Sequence, residues 1–409
     1  MADARVVVPL DRPPDVTVKV PGSKSITNRA LVCAALARKP STISGALFAD
    51  DTEAMIDCLR KLGVLVTVDG TTLHVKSRRW HDRANLDARL SGTTSRFLLP
   101  VLATGNGTYR LDGAPPLRAR PMKPSLDALR SIGARVTGDH LPVEIHGPVM
   151  GGNVAVRGDL SSQFLSGLLL AGAVMPKGLH IELTTRLVSK PYVDLTIAVM
   201  EQFGAKPAID HVPFTGYVGG EYSIEPDASA ASYFFAVAAI TGGRVTVEGL
   251  GTDSLQGDVA FVDLLERMGA SVERTRSSIT VRGTGVLHGI DVDLSDNSDL
   301  SQTLAAVAVF ADSPTRMSGI GFIREKETDR IGDVVRELER VGIRAEEEPD
   351  GYVVHPGTPG PGCVATYDDH RMAMSFALLG LRVPGISIAG PECVAKTFPG
   401  FWDALESLR

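Results

Sequence analysis

Six times along the chain a polar, cap-rich start runs into a nearly uncharged apolar stretch: Ser23–Leu36, Ser91–Ala103, Asp159–Val174, Asp227–Ile240, Asp296–Ala311 and Asp368–Leu381. Successive starts lie 68, 68, 68, 69 and 72 residues apart, and a period that regular marks an internal repeat. Each stretch predicts a buried helix opened by a Ser or Asp cap. A second, amphipathic helix follows in each copy, and in the first five it closes on a glycine: Gly63, Gly133, Gly204, Gly269 and Gly342. A glycine there suits the left-handed cap of a helix. Short alternating runs come next, such as Val64–Val68 with Leu73–Val75 and Ala270–Val272 with Ile279–Val281, and these predict strands. The sixth copy ends at Leu405–Leu408.

Composition narrows what such a repeat array does. With 409 residues and 44% hydrophobic content the chain can bury two substantial cores, three repeats to each. The predicted lobes are Val20–Glu225 and, for the other, Met1–Lys19 with an N-terminal strand Arg5–Leu10, plus Pro226–Arg409. Two short crossings, near Val18–Pro21 and Ile224–Asp227, permit hinge closure. A net charge of −6 without any Lys/Arg run argues against a nucleic-acid binder. The longest apolar run, Phe164–Met175, is too short to span a bilayer, and Met1–Val20 lacks the apolar core of a secretory signal. Four scattered cysteines fit reduced thiols in a cytoplasmic, soluble protein, and nine histidines with none at metal-ligand spacing predict no built-in metal.

Candidate chemistry collects at the polar starts. Pro21-Gly22-Ser23-Lys24-Ser25, with Arg29 behind it, places cations at a helix N-terminus, whose free N–H groups favour an anion. Gly92 sits in Leu90-Ser91-Gly92-Thr93-Thr94-Ser95-Arg96 and would let a ligand approach the backbone. Arg120 precedes Pro121, read as the first position of a helix, where a guanidinium fork suits a phosphate or carboxylate. Arg118 reads as a solvated side chain. Ser161, Ser162 and Gln163, with Ser189 and Tyr192, suit a polyhydroxylated ligand. Asp299, and Lys326, Glu327 and Arg330 within one turn of a helix start, bring acids and bases together. His370 and Arg371 are expected at a mouth rather than in a core, and Lys396 precedes the last helix. Taken singly, each segment reads equally as a capped helix with solvated charges. If all twelve helices point into one cleft, Lys24, Arg29, Arg120, Lys326, Arg330, Arg371 and Lys396 form an anion trap inside an acidic protein.

These residues together resemble one known family, the 5-enolpyruvylshikimate-3-phosphate synthases. The matching stretches include Pro21–Ser25 with Arg29, Gly92-Thr93 with Arg96, Arg120-Pro121, Ser161–Gln163, Ser189–Tyr192, Asp227–Ser229, Lys326–Arg330, Asp369–Met374 and Lys396–Pro399. The resemblance implies a mixed α/β (α+β) enolpyruvyl transferase fold of two domains, each of three β-α-β-α-β-β units, with the active site in the cleft between them. It implies a reaction without cofactor or metal: the enolpyruvyl group of phosphoenolpyruvate passes to the 5-hydroxyl of shikimate 3-phosphate through a tetrahedral intermediate, releasing phosphate. It further implies that Ser25, Arg29, Ser161, Ser162, Ser189 and Tyr192 hold shikimate 3-phosphate, with Gln163 near both ligands. Phosphoenolpyruvate would meet Lys24, Gly92, Arg120, Lys326, Arg330, Arg371 and Lys396. Asp299 would act as base toward the hydroxyl and Glu327 as acid toward the methylene, and Lys24 and Lys396 are counted with the catalytic set. A monomer is expected, and glyphosate is expected to compete with phosphoenolpyruvate.

Two positions depart from many members, which carry Asn where this chain has Leu90 and Phe322. Weaker ground-state binding is expected from them. The related UDP-N-acetylglucosamine enolpyruvyl transferases carry a catalytic Cys five residues before the Arg of the Arg-Pro pair, where this chain has Pro115. A non-catalytic anion-binding repeat protein is the alternative from another class, and it predicts binding without phosphate release.

Overall fold

The structure is a computed structural model that describes residues 4–409. Contacts divide the chain into two compact units, Gly22–Glu225 and Met1–Pro21 with Pro226–Arg409. Each is described by itself.

In the unit Gly22–Glu225 three buried helices, Lys24–Leu36, Gly92–Leu102 and Ser162–Gly172, form the core. Their caps follow the sequence signals: the Ser23 hydroxyl accepts from Ile26 N, Ser91 from Thr94 N and Ser161 from Gln163 N. The third helix therefore starts later than its apolar pattern suggested, because Ser161 rather than Asp159 supplies the cap. Every residue of Gly92–Leu102 is buried. The second helices are Asp50–Leu62, Lys123–Ser131 and Lys190–Gln202. Pro121 lies ahead of the middle one, whose first turn holds Pro124 instead, so the expected placement of Pro121 at the first helical position is corrected.

Three small sheets cover the helices. Two have one pattern, a parallel pair extended by two antiparallel strands: Glu221–Ser223, Ser41–Ser44, Thr72–Lys76 and Leu65–Asp69 in one, Arg83–Asp87, Thr108–Asp112, Val143–His146 and Arg135–Thr137 in the other. The third sheet has three strands, Gly152–Val156, Leu179–Leu183 and His211–Val212.

The other unit repeats the plan around the helices Ala228–Thr241, Ser301–Ala308 and His370–Gly380. Asp227 and Asp369 cap the first and third through Ala230 N and Arg371 N. The middle one is shorter than its apolar pattern, since residues 298–300 form a 3-10 turn before it. N-terminal strands complete two of its sheets: Asp15–Val18 pairs in parallel with Arg244–Glu248, and Ala4–Val6 pairs antiparallel with Ile386–Ala389. The expected strand Arg5–Leu10 is thus limited to Ala4–Val6. The closing glycines Gly63, Gly133, Gly204, Gly269 and Gly342 all have positive φ, between 82° and 109°.

Lys326–Arg330 departs from expectation. A 3-10 turn over Gly321–Glu325 precedes it and the helix begins only at Gly332, so Lys326, Glu327 and Arg330 lie on a loop. The Asp329 carboxylate holds that loop by accepting from Ile331 N and Gly332 N, both at 3.0 Å. No helix among the described residues is long and apolar enough to cross a membrane.

Candidate active site

Within Gly22–Glu225 the polar helix starts carry a connected set of groups. Lys24 Nζ lies 3.2 Å from the carboxylate of Asp51, a buried residue in the first turn of the next helix. Arg29 is 2% exposed, and its guanidinium donates to Thr196 Oγ1 at 2.7 Å, Ser25 O at 2.8 Å and Tyr192 O at 3.0 Å. Burial lowers its pKa to about 10, against weaker opposing pulls. Arg29 is thus a clamp joining Ser25 to Tyr192. Ser162 and Ser189 are buried and Ser161 is partly exposed, and Ser189 sits at φ 53° immediately before its helix.

Arg96 links the remaining parts. Its guanidinium donates to Gln163 Oε1 at 3.0 Å and Pro121 O at 3.2 Å, and it stacks 4.8 Å from the Phe164 ring. Gln163 Nε2 in turn reaches Thr93 Oγ1 at 3.4 Å. Gly92 lies directly against Arg120: a Cβ built on it would stand 2.8 Å from Nη1. Arg118, as expected, is half exposed, and it pairs with Asp112 at 2.8 Å.

The other unit brings carboxylates and cations into one cluster. Asp299 accepts from Lys326 Nζ at 2.6 Å, Arg330 Nη1 at 3.1 Å and Arg371 Nη2 at 3.0 Å. Burial alone would push the Asp299 carboxyl up, but the charges of Arg371, Lys326 and Arg330 outweigh it and hold it well below the usual carboxylate range. Burial pulls the Lys326 ammonium down, opposed by Asp299. Arg330 is gripped side-on by Asp369, Nε at 2.7 Å and Nη2 at 3.1 Å, and meets Glu327 at 2.9 Å. Burial opposes its charge, yet Asp369, Glu327 and Asp299 raise its pKa. Lys396 Nζ lies 3.0 Å from Glu327. Asp299 and Glu327 therefore stand on separate segments, each tied to two or more cations.

His370 and Arg371 are 2% and 6% exposed, so the expectation that both stand at a mouth is corrected. The helix that they open is buried along its whole length, and the Asp369 cap turns Arg371 inward toward Asp299. Several supporting residues were not singled out from sequence: Asp51, Thr196, Ser298, which accepts from Lys326 at 3.1 Å, and Asp369 as holder of Arg330. Asp369 was legible as part of a motif, but its partner 39 positions away was not. Among the described residues no three His, Cys, Asp or Glu side chains gather to hold a metal.

A family model described as EPSP synthase (3-phosphoshikimate 1-carboxyvinyltransferase) matches residues 13–405. The chain belongs to the EPSP synthase family. Curated relatives named 3-phosphoshikimate 1-carboxyvinyltransferase include one from Nostoc punctiforme, 43% identical over 96% of both chains, and one from Methanosphaerula palustris, 39% identical over 96% of both. Among solved structures, EPSP synthase from Acinetobacter baumannii superimposes with a TM-score of 0.83 at 26% identity, covering 99% of this chain and 98% of that one. The enolpyruvyl transferase NikO from Streptomyces tendae shares the fold with a TM-score of 0.78 at 21% identity, covering 100% of this chain and 98% of that one. The EPSP synthase family is a transferase family, and its mixed α/β fold of small sheets on helices is the one described above.

Proposed function

We propose that this EPSP synthase family member transfers the enolpyruvyl group of phosphoenolpyruvate to the 5-hydroxyl of shikimate 3-phosphate and releases phosphate. The observation that carries the proposal is the Asp299 cluster: a carboxylate within 3.1 Å of Lys326, Arg330 and Arg371, two of them arginines fit for a phosphate or carboxylate. The Asp299 carboxylate is itself an anion held by these three cations. A donor carrying both phosphate and carboxylate competes for the same cations, and as they turn to it Asp299 loses what kept its pKa low and becomes a better base.

In this reading Ser25, Arg29, Ser161, Ser162, Ser189 and Tyr192 serve the shikimate phosphate, Arg29 by holding Ser25 and Tyr192 in place. Gln163 serves both ligands. Lys24, Gly92, Arg120, Lys326, Arg330, Arg371 and Lys396 serve the donor. Asp299 takes the proton of the attacking hydroxyl, and Glu327, supplied by Lys396 at 3.0 Å, delivers one to the methylene. The resulting ketal collapses when the methyl group returns a proton and the carbon–oxygen bond to phosphate breaks. In this reading residues of both compact units serve the two substrates, and a single copy of the chain supplies all of them. Glyphosate, an anion, competes with phosphoenolpyruvate, and initial rates at limiting donor would fall as it is added.

A coupled phosphate assay tests the proposal. Phosphate release that requires both substrates supports it, and binding of either without release favours a non-catalytic anion binder.

A further inference from the structure

The two segments that meet at Arg330 and Asp369 are joined a second time, behind the site. Glu337 projects from the Gly332–Arg340 helix, directly after the loop of Arg330, and its side chain is fully buried. Its Oε1 accepts from the Tyr367 hydroxyl at 2.7 Å, and Oε2 accepts from Ala365 N at 2.9 Å and from Arg340 Nε at 2.7 Å. Tyr367 and Asp368 both hold positive φ, 53° and 57°, immediately before Asp369. Two consecutive residues with side chains adopt that conformation only when their surroundings impose it. Glu337 holds that turn from behind, since it receives a backbone N–H on one side of the turn and the phenol within it. Arg336, stacked 5.9 Å from the Tyr367 ring, steadies the phenol from the same helix.

We propose that Glu337 and Tyr367 are positioning residues for donor binding. They set the turn that aims Asp369, and Asp369 fixes both arginines: it grips Arg330 with both oxygens and caps the helix of Arg371. The inference rests on the reading above that Arg330 and Arg371 serve the donor. Neither positioning residue need touch substrate. Loss of the Tyr367 hydroxyl frees the turn, lets the Asp369 carboxylate rotate, and blurs the forks that it orients.

Tyr367→Phe keeps the ring and its stacking on Arg336 but removes the hydrogen bond, and Glu337→Gln keeps the shape. Steady-state kinetics of each should show KM for phosphoenolpyruvate raised about tenfold or more, as expected when a hydrogen bond to a charged group is lost, with KM for shikimate 3-phosphate within twofold of the parent. In the double variant the two effects should be far from additive, because both act through one turn. A merely structural role would lower Tm while leaving the ratio of the two KM values unchanged, and that result overturns the inference, as does an equal rise in both. Calorimetric titration of inorganic phosphate into the same proteins separates the two questions. If the parent makes no product, the functional reading falls, while a weaker phosphate affinity in the variants still supports positioning and an unchanged affinity refutes it.

Discussion

Gly92 has no room for a side chain on the face it turns to Arg120: an added Cβ would stand 2.8 Å from Nη1 and 3.1 Å from Cζ. The neighbour is the far end of a flexible chain, so it moves rather than the helix. Gly92→Ala should therefore leave Tm unchanged or slightly raised, Ala being the better helix former. It should raise KM for phosphoenolpyruvate by about tenfold, the loss expected when one charge-assisted hydrogen bond is misaligned. Thermal melts beside donor titrations check both halves.

Lys24 and Lys396 are both lysines paired with acids, yet their removal should differ. Asp51 has Lys24 as its ion-pair partner at 3.2 Å and is almost wholly buried, whereas Glu327 keeps Arg330 at 2.9 Å when Lys396 is removed. Lys24→Met should destabilise the protein by about 3 kcal/mol, as when a buried charge loses its partner, and Lys396→Met by much less. Adding Asp51→Asn to Lys24→Met should restore Tm without restoring turnover. Denaturant melts with kinetics on the three variants distinguish charge burial from catalysis.

Asp299 links stability to pH. Its depressed folded-state pKa adds stability at any pH above the unfolded value of about 3.9, and that contribution disappears as pH falls through the folded value. Asp299→Asn should lower Tm at neutral pH, with the gap to the parent closing only in strong acid. The variant leaves three cations facing one another, so inorganic phosphate should raise its Tm more than it raises the parent's. Turnover should fall by about 10²- to 10⁴-fold, the range for a lost general base. Equal phosphate shifts in both proteins would contradict the idea that Asp299 holds the donor's place.

Phe322 offers a gain as well as a loss. Its ring lies 5.6 Å from Lys326 Nζ, a cation–π contact of about 0.5–2 kcal/mol that Asn cannot make. Phe322→Asn should weaken the donor side modestly while supplying an amide toward shikimate 3-phosphate, so the two KM values should move in opposite directions. Submicromolar affinity of the parent for shikimate 3-phosphate at physiological salt would show that Phe322 and Leu90 cost nothing.

Much of the architecture was legible because it is written locally. Ser23, Ser91, Asp227 and the closing glycines act within a few residues of themselves, so their signals survive without knowledge of tertiary contacts. The ion pairs are different. Lys24 with Asp51 and Arg330 with Asp369, like the hydrogen bond of Arg29 to Thr196, join residues 27, 39 and 167 positions apart, and only packing brings them together. The spacing of Lys326, Glu327 and Arg330 fits one helical turn, whereas Asp329 folds the stretch into a loop that turns those charges to different partners. His370 and Arg371 looked exposed because they are polar, but arginine is tolerated in a core when a carboxylate such as Asp299 receives it.

The central claim is that this chain transfers an enolpyruvyl group between two phosphorylated substrates. Mass analysis of the products from purified protein mixed with phosphoenolpyruvate and shikimate 3-phosphate tests it most directly. The account predicts an enolpyruvyl ether of shikimate 3-phosphate formed in equal amount with inorganic phosphate, and both substrates recovered intact would contradict it.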